Sequence, residues 1–167
     1  MKKIKENIWN IFEKKKNWME IFYDCNYCIK LEKTRLEITG RNAQVFIVLG
    51  KETFTNKQYK ELKKNITSQL RIAGLYSCKD KKKPSAPKKY TRKMLCYALT
   101  LLLHHDRISE TDVISLEADP SPNNNLINKV YIPMGFELVA ETGDSITGGL
   151  MKSTVQEILD WCKETSF

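Results

Sequence analysis

The 167-residue sequence has no long apolar run, no glycine repeat and no solenoid period. No window approaches about 18 consecutive apolar residues, which excludes a membrane-spanning helix. The amphipathic residues 1–9 lack the apolar block of a secretory signal. With 41% apolar and 29% charged residues, the composition also excludes overall disorder. We therefore expect one compact domain over residues 1–167 that does not insert into a membrane.

Arginine is scarce, since 23 lysines stand against 5 arginines, a bias typical of an AT-rich genome. Bidentate recognition of phosphates or bases normally favours arginine, so the composition does not favour nucleic acid as a partner despite a net charge of +8. The charge is polarised along the chain. Residues 1–93 hold 24 basic and 9 acidic side chains (net +15), and residues 94–167 hold 4 and 11 (net −7).

A second CxxC motif, as in zinc sites with four cysteine ligands, is also missing. The five cysteines are an odd set without the pattern of a secreted disulfide framework, so we expect a reducing, cytoplasmic compartment. Cys96 and Cys162 lie in apolar helical contexts and are interpreted as small buried hydrophobes. Cys25 and Cys28 form a lone CxxC without a second pair, so no metal site is predicted.

Hydrophobic periodicity predicts alternating helices and strands. One or two amphipathic helices are expected over 3–22, and 27–39 with 43–49 forms a hairpin whose second strand is central and buried. The remaining expected elements are a helix over 56–70, strands at 72–78 and 111–119, helices at 91–104 and from Asn124 or Asn125 to Tyr131, strands at 136–140 and 149–153, and a helix at 154–163. This order predicts an α/β fold with at least one parallel strand pair and a right-handed crossover over 79–110.

A basic loop leads into the helix at 91–104. Eight of the fifteen residues in 79–93 are basic, and two prolines forbid a helix through the middle of this segment. The first amides of a helix have no intrahelical acceptor and carry partial positive charge, so this junction is suited to bind an anion. A solvated lysine loop is the alternative interpretation.

The residues after this helix resemble a known family. Asn124 opens a helix, Tyr131 follows seven residues later, and Gly135 and Phe136 stand four and five residues beyond the tyrosine. With the Gly149-Leu-Met-Lys152 strand, this spacing resembles the second half of the GNAT superfamily of N-acetyltransferases over about 85–155. The resemblance implies a single-domain acyl-CoA N-acyltransferase fold, a mixed sheet flanked by helices. The family order places a strand, two helices and a three-strand meander first, so the N-terminal half (1–71) is divergent.

The resemblance implies acetyl-CoA as co-substrate, without a metal. The implied coenzyme contacts are the end of the preceding strand, the loop and helix start, and the helix-opening asparagine: Ser77, Cys78, Lys88, Lys89, Tyr90, Thr91, Arg92, Lys93 and Asn124. The family's pyrophosphate loop usually carries glycines, which let backbone amides approach phosphate closely. Here Lys89 and Thr91 stand at those positions. The Thr91 hydroxyl and the lysine charges are expected to compensate.

The implied reaction is direct transfer of an acetyl group to an amine. Tyr131 occupies the position of the family's general acid, and its phenol can protonate a departing thiolate at neutral pH. Glu117 and Tyr76 are the candidates for the base that deprotonates the amine. Packing and helix capping are the alternative roles of Tyr131 and Asn124.

The acidic second half is suited to attract a cationic small molecule, polyamine or peptide as acceptor. Two other functions stay open, namely a GNAT-fold binding module without turnover and a basic protein that binds nucleic acid or an anionic surface through 79–93. A homodimer stays open as the assembly.

Overall fold

The structure is a computed structural model that describes residues 28–40, 43–78, 84–85, 89–118, 126–141 and 148–165. The helices predicted over 3–22 lie outside these residues, as do Cys25, Lys88 and Asn124. Within the described ranges, no helix combines the length and apolarity needed to cross a membrane.

The described chain forms one mixed sheet. Its strands are β1 (Cys28–Leu31), β2 (Arg35–Thr39), β3 (Ala43–Phe54), β4 (Ile66–Cys78), β5 (Pro84–Ser85), β6 (Val113–Ala118), β7 (Glu137–Glu141) and β8 (Gly149–Thr154). The spatial order is β1-β2-β3-β4-β6-β8-β7, with β5 paired to the end of β4. Strands β4 and β6 are parallel, and the other pairs are antiparallel. The predicted α/β class and its parallel pair are confirmed.

In the part of the chain that the structure describes, two α-helices and one π-helical turn accompany the sheet. Helix α1 (Lys89–His104) connects β4 and β5 to β6, and helix α2 (Val155–Glu164) follows β8. The start of α2 is fixed by a capping box in which the Thr154 hydroxyl accepts from the Glu157 amide and the Glu157 carboxylate accepts from the Thr154 amide, both at 3.2 Å. The π-helical turn (Ile127–Tyr131) lies between β6 and β7.

The predicted helix over 56–70 is wrong. Residues 55–65 form turns, and β4 begins at Ile66. Tyr59, Leu62, Ile66 and Leu70 fit a helical period, but Ile66, Leu70 and Ile72 also fit a strand period, and short apolar segments do not separate the two. The long antiparallel pairing of β4 with β3 decides for the strand.

The predicted hairpin of 27–39 with 43–49 is only partly correct. Residues 27–39 are not one strand, because a turn at 32–34 divides them into β1 and β2. The Glu32 amide donates to the Arg35 carbonyl at 2.8 Å and closes this turn. The front half therefore contains the antiparallel meander β2-β3-β4 immediately before the basic loop.

The sheet separates two apolar clusters. The larger one packs α1 and α2 against the sheet and includes the fully buried Leu99 and Met151. The smaller one lies under the 55–65 segment and includes Phe54, Tyr59 and Leu150. Since Leu150 and Met151 are neighbours on β8, their side chains point to opposite faces. The two clusters therefore mark the two faces of the sheet, and we call them the helix face and the loop face.

A disulfide joins the two helices. Cys96 on α1 and Cys162 on α2 are both buried, as predicted, but they are bonded to each other rather than being separate thiols. The cytoplasmic compartment expected from the cysteine count stays a prediction.

Candidate active site

The two parallel strands pair over a short length only. Leu70, Arg71 and Ile72 of β4 lie opposite Ile114, Ser115 and Leu116 of β6. Beyond these three pairs, β4 continues to Cys78 and β6 to Ala118 without pairing to each other. The carboxyl ends of the parallel strands thus border an opening in the sheet, which we call the gap. Ligands of open α/β sheets characteristically bind outside such strand ends.

A β-bulge lies at the start of the gap. Phe46 pairs with Gly74 and Ile47 with Ile72, which leaves Ala73 without a partner on β3. The extra residue shifts the burial pattern, since Leu70 and Ile72 are buried before it and Leu75 and Ser77 after it. Bulges concentrate beside active sites because they redirect the backbone and its polar groups. Here the bulged residue, Ala73, directly follows Ile72, which is the last β4 residue paired with β6.

The start of α1 provides donors close to the end of β4. Helix α1 begins at Lys89 and has no acidic residue in its first turn, so nothing in that turn repels an anion. The buried Nε atom of Arg92 makes no hydrogen bond to any described residue. The Lys93 ammonium lies 5.8 Å from the centre of the Tyr97 ring, which holds this charge along the helix.

Two predicted coenzyme-binding residues bind each other. The Ser77 and Thr91 hydroxyl oxygens are 2.6 Å apart, and both residues are buried, with 1% and 0% exposure. This hydrogen bond fastens the first turn of α1 to the end of β4. Because the Thr91 hydroxyl is used inside the protein, any contribution of Thr91 to anion binding falls to its backbone amide.

Tyr131 ends the π-helical turn and is 7% exposed. Its carbonyl accepts from the amides of Met134 and Phe136 at 3.1 and 3.0 Å, and its ring meets that of Phe136 edge to face at 6.0 Å. These contacts fix the backbone and ring of Tyr131 on the helix face. Tyr131 therefore also has the packing role that is its alternative interpretation.

Glu117 lies on the opposite face. It is exposed and pairs across the sheet with Leu150, a member of the loop-face cluster. It follows Leu116, the last β6 residue paired with β4. The proposed acid and base therefore lie on opposite faces of the sheet, with Glu117 at the edge of the gap.

Tyr59 is a site residue that sequence reasoning missed. Its hydroxyl donates to Oε1 of Glu117 across 58 positions of sequence. Burial and, secondly, this hydrogen bond to the carboxylate raise the pKa of Tyr59. Its placement on one side of a predicted helix gave no sign of this contact, which only the folding of 55–65 over β6 creates.

The other predicted residues have different positions. Tyr76 is half-buried on β4 opposite Gln44, and Cys78 ends the same strand. Cys28 is half-buried with a free thiol. Among the described residues, no group of three metal-ligating side chains comes together.

A groove of about 590 Å³ lies at the other end of the parallel strands, lined among others by Lys63, Lys64, Val113, Leu138 and Lys152. Val113 begins β6, so this groove is distant along the strands from the gap. None of the predicted site residues lines it.

No family model and no curated protein matches the chain. A solved structure described as a bacterial toxin is similar at 15% sequence identity, with a TM-score of 0.48, over 80% of this chain and 73% of that one. This level of similarity indicates neither a shared activity nor a shared substrate.

Proposed function

We propose that the protein is an acetyl-CoA-dependent N-acetyltransferase of GNAT type that transfers acetyl directly to an amine. The observation that carries the proposal is the gap between β4 and β6, where a three-pair parallel ladder ends beside a bulge. The antiparallel meander before the gap and the π-helical turn with Tyr131 after it agree with the family order that the sequence resembles. The fold class alone would not support an activity.

Coenzyme binding is assigned to the start of α1. A diphosphate carries charge that the free amides of a first helical turn bind well, and Arg92 and Lys93 add full positive charges there. The Arg92 Nε atom, which has no hydrogen-bond partner among the described residues, is a donor that an anion would satisfy. Lys89 stands at one of the positions where the family has glycine, and its sequence neighbour Lys88 adds a second positive charge.

The proposed chemistry uses both faces of the sheet. The amine nitrogen attacks the thioester carbon, a C–N bond forms, the C–S bond breaks, and coenzyme A leaves as a thiolate. Glu117 on the loop face accepts the proton lost by the amine, and Tyr131 on the helix face gives its phenolic proton to the thiolate. The acceptor then approaches from the loop face and the coenzyme from the side of α1. The acceptor class remains a small amine, a polyamine or a peptide.

The first test is calorimetric titration with acetyl-CoA, with free CoA as control. The variant K88E with K89E should weaken binding at least tenfold, because it replaces two positive charges at the start of α1 in the sequence by two negative ones. The matched control is K63E with K64E, which makes the same charge change in the distant groove. Equal affinity of the two double variants would contradict the diphosphate assignment.

The second test separates an enzyme from a binding module. Tyr131→Phe keeps the ring that packs on Phe136, so coenzyme affinity should be retained while turnover on an amine panel falls by 100-fold or more, on the order expected for a general acid. Tyr97→Phe on α1 is the control. Coenzyme binding without turnover in the unmodified protein would indicate a binding module, and salt-dependent polynucleotide binding without coenzyme affinity would indicate a nucleic-acid protein.

A further inference from the structure

We propose that Tyr59 is a positioning residue of this acetyl transfer, holding the Glu117 carboxylate at the edge of the gap so that its second oxygen meets the acceptor amine. The inference rests on the proposed function and adds a residue that the sequence resemblance does not supply. The phenol occupies Oε1 of Glu117. Among the described residues, no hydrogen bond reaches Oε2, which leaves that oxygen for a proton from the acceptor.

Tyr59 is fixed firmly enough to position another group. It is 5% exposed, its amide donates to the Thr55 carbonyl at 3.1 Å, and its carbonyl accepts from the Leu62 amide at 3.2 Å. Its ring meets Phe54 edge to face at 6.0 Å. With backbone and ring both held, the hydroxyl can occupy one position only. Glu117 by contrast is exposed, and an exposed carboxylate on a strand has several rotamers unless a partner selects one.

Three strands place charges around Tyr59. Glu52 on β3 and Arg71 on β4 form an ion pair of 3.3 Å between Nε and Oε2, and both act on Tyr59, the carboxylate raising and the guanidinium lowering its pKa. Glu117 on β6 completes the set. Burial and Glu117 outweigh Arg71, so the phenol stays protonated well above neutral pH. Tyr59 is therefore the donor and Glu117 the acceptor wherever an acetyltransferase would operate.

The arrangement has a consequence that a purely structural contact lacks. Glu117→Gln keeps the size of the side chain but removes the charge that helps to raise the pKa of Tyr59, so one tyrosine should ionise at lower pH than in the parent. In Tyr59→Phe, kcat should fall about tenfold or more while KM for acetyl-CoA is unchanged, because the Glu117 carboxylate then takes up several rotamers and the start of α1 is untouched.

The experiment combines turnover with a titration that needs no substrate. Steady-state kinetics compare the parent, Tyr59→Phe and the control Tyr97→Phe, and absorbance titration of the tyrosines compares the parent with Glu117→Gln in the full chain. We expect the loss of kcat in Tyr59→Phe alone, and in Glu117→Gln the ionisation of one tyrosine at lower pH than in the parent. Should Tyr59→Phe fail to fold, the tyrosine titration of Glu117→Gln decides by itself.

The outcomes separate the two proposals. An unchanged tyrosine titration in Glu117→Gln overturns the role of Tyr59 whether or not the protein acetylates amines. An unchanged kcat in Tyr59→Phe also overturns it, as does an equal loss of kcat and of affinity for acetyl-CoA, since that is the signature of a structural defect. A tyrosine that ionises at lower pH in Glu117→Gln, with no acetyl transfer by the parent, overturns the proposed function, and the positioning role falls with it.

Discussion

The hydrogen bond between Ser77 and Thr91 should be one of the few polar contacts whose removal measurably destabilises the protein. Both residues are buried and their oxygens are 2.6 Å apart. Ser77→Ala removes one partner and leaves the buried Thr91 hydroxyl without this contact. The expected loss is about 1–3 kcal/mol in the free energy of unfolding, since a buried polar group that loses its partner retains its desolvation cost.

A double-mutant cycle isolates this contact. Because the double variant leaves neither hydroxyl of this pair without the other, Ser77→Ala with Thr91→Val should cost less than the sum of the two single variants, with a coupling energy of about 1 kcal/mol or more. Urea unfolding followed by circular dichroism measures each free energy. For a chain of this size, the melting temperature should fall by about 2–4 °C for each kcal/mol.

A second buried hydroxyl pair provides the comparison. Ser68 and Ser115 are 2.8 Å apart and fully buried, next to the parallel ladder. A cycle of Ser68→Ala and Ser115→Ala should show coupling of the same sign. Strict additivity in the Ser77–Thr91 cycle, with Ser77→Ala costing less than about 0.5 kcal/mol, would refute the reasoning that this bond fastens α1 to β4.

Three further changes test the fold. Gly149→Ala should cost about 1–3 kcal/mol, because its Cβ would lie 2.5 Å from Leu138 Cδ1 and 2.8 Å from the Ala140 carbonyl oxygen. Asp106→Gly should raise stability by about 0.5 kcal/mol, since Asp106 has φ of 54° after the last turn of α1. Cys96→Ala with Cys162→Ala should cost about 2–4 kcal/mol, as expected for loss of a disulfide that closes a long loop.

Thermal unfolding measures the stability of all three variants, and a different result would contradict each prediction. A Gly149→Ala protein as stable as the parent would mean that β7 and β8 adjust freely. A loss of stability in Asp106→Gly would show that its carboxylate has a favourable contact. For the cysteines, mass spectrometry of the unreduced parent should show two hydrogens fewer than the reduced chain, and equal masses would exclude the bond.

Local sequence signals predicted the second half of the fold well. The strand at 149–153 and the helix at 154–163 are confirmed within one residue, because Thr154 and Glu157 form a capping box and the apolar residues keep one period throughout. The first half depends on long-range pairing. Ile66 and Leu70 satisfy both periods, and only β3 on one side and β6 on the other select the strand.

The candidate site also combines residues that local sequence can indicate with one that depends on long-range contacts. Tyr131 and Glu117 could be singled out because motif spacing and strand position are local properties of the sequence. Tyr59 could not, since its contact with Glu117 depends on how 55–65 crosses the loop face. Local sequence signals could not predict the gap either, because it arises where a bulge on β4 coincides with the end of the pairing between β4 and β6.

The bond between Cys96 and Cys162 turns the intervening chain into a covalent ring. Glu117 and Tyr131 belong to that ring, whereas Tyr59 and the whole of β4 lie outside it. One border of the gap is thus part of a closed circle of backbone and the other is not. A protease that cut once anywhere between the two cysteines would leave both pieces tethered, so the proposed acid and base could not be lost from the molecule by a single scission.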